Sequence, residues 1–395
     1  MGANKKVKKF FFYTSRLWQI ENALIINDQL RENNNCFSEI LIEKKNEEIK
    51  NLVFPKNVSH KIIYKKNEDI GKLNYFVNFF HKLFIQNITT ENIIFIDKWS
   101  GINIEILIRL SKHYNLKVVL YQHGENYLNN KIFSWKKGWK EISYLNIIRF
   151  SFKPYLYSLF YLLNPFNKNS IKINFKNIYL FRNKFFFADK ILLIHKNAIS
   201  KNFSKKFEIV GSLLTERIDK KNLYNQGNNK KICLYSLGIG KVPQKVINKR
   251  QDRLVNYVYN YCEKFNYELF IKLKPGEKRL YDYYKNKYDN IKLITELADN
   301  LNFKLFVLPC DSTATIEMSY LSKDYFTFNL YENYGYIGSL NKKNKIPEIS
   351  YIKNSKQFFT DFNKLFDDQK KSKLIHTHLN LNNTSKKIAN SLINL

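Results

Sequence analysis

Phe306-Val307-Leu308-Pro309-Cys310-Asp311-Ser312-Thr313-Ala314-Thr315-Ile316-Glu317-Met318 passes from an apolar run, through a cluster of hydroxyls, into a helix-like pattern. It reads as strand, turn, helix. In an open α/β sheet, ligands sit beyond the carboxyl ends of the strands. There the first turn of a helix offers unpaired N–H groups and a partial positive charge. Ser312, Thr313 and Thr315 add hydroxyl donors, so the segment suits a phosphate. Asp, Ser and Thr are also the ordinary N-cap residues, and a plain helix cap would use the same residue types.

The same strand-then-helix rhythm runs outward in both directions, which indicates mostly parallel sheets. Upstream, strands are predicted over 9–13, 37–42, 93–96, 116–121, 188–194 and 207–210, with helices over 17–31, 72–84 and 102–113. A polar Asn- and Lys-rich stretch at 219–231, carrying Gly227, reads as a linker. Beyond it the rhythm restarts, with strands over 231–237, 268–273, 291–294, 304–308 and 325–329 and helices over 243–265, 279–288 and 312–321. The expected organisation is an α/β domain over 1–212, a second over 213–380 and a closing amphipathic helix over 381–395. Two such domains would face each other across a cleft, the usual place for a ligand.

A helical insertion is expected at about 138–168. Its apolar stretch, 142–163, is interrupted by Arg149, Lys153 and Pro154, so it does not read as a membrane span. It fits either a buried hairpin or a basic aromatic pair lying on an anionic membrane face. The chain has 66 Lys and Arg against 34 Asp and Glu, a net charge of +32, which implies attraction to polyanions. The lysine comes with abundant Asn, Ile, Phe and Tyr, a bias an AT-rich coding sequence would produce, so the charge does not choose the polyanion. Signatures of RNP, KH or helix-turn-helix modules are absent, and nucleic acid is not the expected partner. Cys36, Cys233, Cys262 and Cys310 are scattered, which suggests neither a disulfide framework nor a zinc knuckle and fits a reducing cytoplasm.

Three further loops follow strands. Gln122-His123-Gly124-Glu125 ends the strand at 116–121, where a catalytic base would stand, with His123 or Glu125 accepting a proton; a structural histidine in a turn is the alternative. Ser236-Leu237-Gly238-Ile239-Gly240-Lys241 lets a ligand approach the backbone at Gly238 and Gly240, although the spacing is not that of a Walker motif. Lys274-Pro275-Gly276 turns sharply after the next strand, with Lys274 at its mouth. Together with the Ser312 cluster, the loops carrying Gly238 and Lys274 make a consistent nucleotide-phosphate site.

These residues resemble the bacterial glycosyltransferases of GT-B architecture that build surface polysaccharides and lipooligosaccharides. Thr14-Ser15-Arg16-Leu17-Trp18-Gln19-Ile20-Glu21-Asn22-Ala23-Leu24 is similar to the opening of the sialyltransferase-type members, which implies an acceptor-side role for Thr14, Ser15 and Gln19. Gln122-His123-Gly124 looks like the capsule and teichoic-acid group, including Kdo transferases and CDP-glycerol glycerophosphotransferases. Ile209-Val210-Gly211-Ser212 is similar to the strand and turn that lead into the second domain. Where that family usually has His-Pro, this chain has Lys274-Pro275, and lysine supplies charge but donates a proton poorly near neutrality. The resemblance implies a cytoplasmic enzyme peripheral to the inner membrane face. It would take a nucleotide sugar, CMP-sialic-acid-like or Kdo-like ahead of UDP-linked, to a glycan or lipid-linked glycan. Ser312, Thr313 and Lys274 would neutralise the leaving phosphate, and His123 or Glu125 would deprotonate the acceptor. No Asp-x-Asp motif is present, so neither metal nor other cofactor is expected. Phosphopolyol transfer from a CDP-alcohol, or non-catalytic polyanion binding, are the alternatives.

Overall fold

The computed structural model describes residues 7–32, 36–44, 49, 52–56, 58–64, 73–87, 91–97, 102–122, 187–194, 206–214, 216–217, 230–235, 244–273, 278–294, 303–309, 325–330, 348–350, 360, 364 and 383–395. They belong to two compact units. The first draws on Met1–Leu128 and Leu145–Arg217 and is completed by Asn380–Leu395; the second draws on Asn129–Tyr144 and Ile218–Leu379.

In the first unit, β1 (Lys8–Thr14), β2 (Cys36–Lys44), β3 (Ser59–Tyr64), β4 (Glu91–Ile96), β5 (Lys117–Tyr121), β6 (Lys190–Leu193) and β7 (Phe207–Ile209) form one parallel sheet in the order β3-β2-β1-β4-β5-β6-β7. The order reverses beside β1, as in doubly wound folds. Strands covered on both faces become continuous apolar runs, and Phe10, Phe11, Phe12 and Tyr13 of β1 are all buried. Helices α1 (Leu17–Leu30), α2 (Leu73–Ile85) and α3 (Ile102–His113) make three of the crossovers. Phe76, Phe80 and Phe84 recur every four residues, so they share one face of α2. That face meets Phe11 and Tyr13, with Phe84 edge-on to Phe11 and Phe76 edge-on to Tyr13. Helix α3 ends on Asn115 at φ 58°, with the Leu116 N–H returning to the Ser111 carbonyl at 2.8 Å, a Schellman closure.

Strand β3 was not expected from the sequence. Its Ser59-His60-Lys61 half is exposed and only Ile63 and Tyr64 are buried, so an edge strand left little apolar signal. Its pairing with β2 is reinforced by the buried carboxylate of Glu39, which lies 3.0 Å from Lys61 Nζ and 3.3 Å from Lys9 Nζ.

The second unit repeats the plan. Strands β8 (Lys231–Tyr235), β9 (Glu268–Lys272), β10 (Ile291–Ile294), β11 (Leu305–Pro309), β12 (Tyr325–Asn329) and β13 (Glu348–Ser350) lie parallel in the order β10-β9-β8-β11-β12-β13. Helices α4 (Gln244–Phe265) and α5 (Lys278–Lys287) supply its first two crossovers. Leu254, Val255, Val258 and Cys262 of α4 pack with Leu269 and Ile271 of β9 and Val307 of β11. The three-residue β13 was also unexpected, being too short to show a period.

The terminal helix α6 (Thr384–Ile393) belongs to the first unit and packs against α1. Glu216 Oε1 accepts the Ser385 N–H at 2.9 Å at its start, and Lys8 Nζ donates to the Ile393 carbonyl at 2.6 Å at its end. A carboxylate at the N-terminus and an ammonium at the C-terminus both complement the helix dipole. Three expectations fall outside the described residues: the insertion at about 138–168, most of the 219–231 linker and the 312–321 helix. Cys36, Cys233 and Cys262 are free thiols.

Candidate functional site

The reversal of strand order in the first unit places the carboxyl ends of β1 and β4 side by side, with Tyr13 opposite Ile96. Gln19, in the first turn of α1, builds the loop after β1. Its amide oxygen accepts the Ser15 N–H at 2.6 Å, the Ser15 hydroxyl at 3.0 Å and the Arg16 N–H at 3.0 Å, while its NH₂ donates to the Asp97 carbonyl at 2.8 Å. A glutamine at the third helical position that reaches back to the cap backbone is half of a capping box. Thr14 is buried and its hydroxyl donates to the Leu41 carbonyl on β2 at 3.1 Å. Of the three residues expected on the acceptor side, Thr14 and Gln19 are thus bonded within the unit, and Ser15 is half-buried on the loop they shape.

The residue that follows β4 was not singled out in the sequence. Asp97 is 2% exposed and Asn22, on α1, is 3% exposed. Asn22 Nδ2 donates to Asp97 Oδ2 at 2.8 Å. Burial holds the Asp97 carboxyl well above the usual carboxylate range; the Asn22 hydrogen bond and the Arg217 charge act in the opposite direction. Arg217 in turn lies 3.4 Å from Glu21 and over the Trp18 ring at 5.9 Å. Tyr121, at the end of β5, donates to the Gly211 carbonyl and accepts the Leu213 N–H, both at 3.0 Å. Gly211 holds φ 103°, which a side chain would disfavour. Perturbed carboxyls at a strand terminus are a mark by which functional sites are sought. A lone Asp before Lys98-Trp99 carried no such signal, because its burial depends on α1.

Gln122 is buried: its N–H donates to the Leu192 carbonyl at 2.8 Å, and its Oε1 accepts the Ile194 N–H at 3.2 Å. That stitches the end of β5 to β6 and sets the point from which His123 follows. His123 and Glu125 themselves lie outside the described residues.

In the second unit, β9, β8 and β11 are consecutive neighbours, with Lys272 opposite Tyr235 and Leu234 opposite Val307. The segments expected to bind phosphate leave the carboxyl ends of these three strands. Gly238, Gly240, Lys274, Pro275, Ser312, Thr313 and Thr315 lie outside the described residues. Among the described residues no group of three or more His, Cys, Asp or Glu could hold a metal ion.

No family model matches the chain, and no curated protein does. Solved structures do. A UDP-GlcNAc 2-epimerase from Neisseria meningitidis bound to UDP-GlcNAc matches with a TM-score of 0.59 at 14% identity, covering 98% of this chain and 100% of the other. The Methanocaldococcus jannaschii UDP-GlcNAc 2-epimerase, in complex with UDP-GlcNAc and UDP, gives 0.60 at 12% identity with coverages of 98% and 100%. A ugt transferase from Siraitia grosvenorii in complex with UDP gives 0.57 at 10% identity, again over 98% and 100%. Identities of 10% to 14% show likeness of fold alone. Two parallel doubly wound sheets, matched along nearly the whole chain, make this a protein of the GT-B fold.

Proposed function

We propose that the protein is a glycosyltransferase that moves a sugar from a nucleotide-activated donor to a hydroxyl of a cell-surface glycan. The observation that carries the reading is the pair of parallel sheets whose first six strands share one order, in a fold whose solved neighbours include complexes with UDP or UDP-GlcNAc. In this reading Lys274, Ser312 and Thr313, which follow the two strands that flank β8, hold the donor phosphate, with Gly238 and Gly240, which follow β8 itself, admitting it to the backbone. His123 or Glu125 takes the acceptor proton. The neighbours' ligands support a UDP-sugar, whereas the resemblance at 14–24 and 122–124 supports a CMP-linked sialic-acid-like or Kdo-like donor. CDP-alcohol transfer uses the same site with another donor. The epimerases among the neighbours support a second reading, isomerisation of a UDP-sugar without any acceptor.

The formal charge of +32 supports a place on the anionic inner face of the cytoplasmic membrane. Among the described residues no helix is long and apolar enough to cross a membrane.

Thermal denaturation with UDP, CMP, CDP, GDP and ADP tests the reading, because a ligand of the native state raises the melting temperature. A nucleotide-selective rise of several degrees, lost in Ser312→Ala and kept in His123→Ala, is expected. No rise with any nucleotide overturns it. Incubation of the responding UDP-sugar without acceptor separates the epimerase reading, which alone gives a new sugar isomer.

A further inference from the structure

Helix α4 ends on an aromatic overhang. Phe265, its last residue, is 47% exposed, and Tyr261, one turn earlier on the same face, lies 4.6 Å away between ring centroids. Asn266 then turns the chain back, so that Tyr267 stacks on Tyr261 at 6.3 Å. Lysines surround this group. Lys264 Nζ stands 5.3 Å from the Phe265 ring centroid, and Lys304 Nζ donates to the Tyr267 hydroxyl at 2.8 Å. The Glu268 N–H donates to the Lys230 carbonyl at 2.7 Å and the Lys304 N–H to the Lys231 carbonyl at 2.8 Å, which brings the amino ends of β8, β9 and β11 to one rim. The described carboxylates of this rim are Glu268, paired with Lys292 at 2.6 Å, and the exposed Glu263 and Asp289. Lys230, Lys231, Lys264, Lys285, Lys287 and Lys304 outnumber them and leave the rim cationic.

We propose that this rim of the second unit is a membrane-contact face, in which Phe265 enters the headgroup layer of an anionic bilayer and the lysines around it meet lipid phosphates. The proposal rests on the placement at the anionic membrane face and names the surface that makes the contact. An exposed aromatic ring bordered by ammonium groups matches that layer, which is apolar on one side and negatively charged on the other. A single strand of nucleic acid would instead call for successive open ring faces. Here Tyr261 and Tyr267 are half-buried against each other, and Phe265 is the exposed ring of the three. The segments that follow β8, β9 and β11 and are read as holding nucleotide leave the opposite ends of the same strands.

The test is co-sedimentation of the purified full chain with phosphatidylglycerol–phosphatidylcholine vesicles at about 0.1 M salt. Phe265→Ala is expected to weaken binding severalfold, and Lys230→Glu combined with Lys264→Glu at least about tenfold. All three side chains are exposed, so the variants keep the wild-type melting temperature and its response to UDP. Lys82→Glu combined with Lys249→Glu makes the same change in net charge, with one exposed lysine in the first unit and the other about 24 Å back along α4. That pair is expected to bind within about threefold of wild type. Equal losses in the two pairs assign the binding to net charge and overturn the face. Undiminished binding in the rim pair overturns the face and leaves the membrane placement standing, whereas no vesicle binding by the wild type overturns both. Loss of single-stranded oligonucleotide binding in the rim pair, with vesicle binding unchanged, assigns the face to nucleic acid and also overturns the proposal.

Discussion

Gln19 connects the two strand ends that flank the switch point, with its oxygen on the loop after β1 and its nitrogen on the residue that follows β4. Removing it leaves the Ser15 and Arg16 N–H groups and the Asp97 carbonyl without their partner in a mostly buried site. Gln19→Ala is therefore expected to destabilise the first unit by about 2–4 kcal/mol, measured by chemical denaturation. Asp97 makes a prediction of opposite kind. Its folded-state pKa is raised, so the stability it contributes is complete below the ordinary carboxylate range and is lost as the pH climbs through that range toward the raised value. Asp97→Asn lacks the titration. Its melting temperature relative to wild type should rise over a scan from about pH 4 to 8, and a flat difference refutes the buried acid. Neither residue's role was legible as chemistry in the sequence. The resemblance at 14–24 drew attention to Gln19 as an acceptor contact, and the structure gives its side chain partners within the unit.

At the scale of elements, the local signals read well wherever burial was two-sided. The runs 9–13, 93–96 and 116–121 became β1, β4 and β5 within a residue or two, because both faces of a central parallel strand must be apolar. Edge strands β3 and β13 escaped notice because one of them is half exposed and the other has three residues. Helix ends carry their own test. Asn266 caps α4 at φ 54°, with the Tyr267 N–H on the Cys262 carbonyl at 2.8 Å. Asn tolerates this conformation better than most residues, and Gly better still. Asn266→Ala is expected to cost about 1 kcal/mol and Asn266→Gly to be neutral or slightly stabilising, read from the melting temperature of the purified protein. Helix α6 buries Ile388, Ala389 and Leu392 against the first unit, apolar burial on the order of 5 kcal/mol. Deleting 383–395 should therefore lower the stability of the first unit while leaving the second unit's unfolding transition in place, which differential calorimetry would resolve.

Across the whole molecule, the chain builds the same six-strand order twice, with β7 added to the first sheet, and after the second unit it returns to the first in α6. A net charge of +32 over such a frame gives a measurable expectation: binding to phosphatidylglycerol vesicles that weakens severalfold between about 0.1 and 0.5 M salt, with none to neutral vesicles. Insensitivity to salt would remove electrostatics from the membrane proposal. Periodicity and apolar runs alone determined that strands alternate with helices, and that 9–13, 93–96 and 116–121 are strands buried on both faces. Those properties are local, since they depend on what each short segment must bury. Tertiary structure decided which strands became neighbours, that Asn22 meets Asp97 across 75 residues of chain, and that the last helix belongs to the first unit. Such pairings are set by the free energy of packing distant segments together, which no single segment's pattern contains.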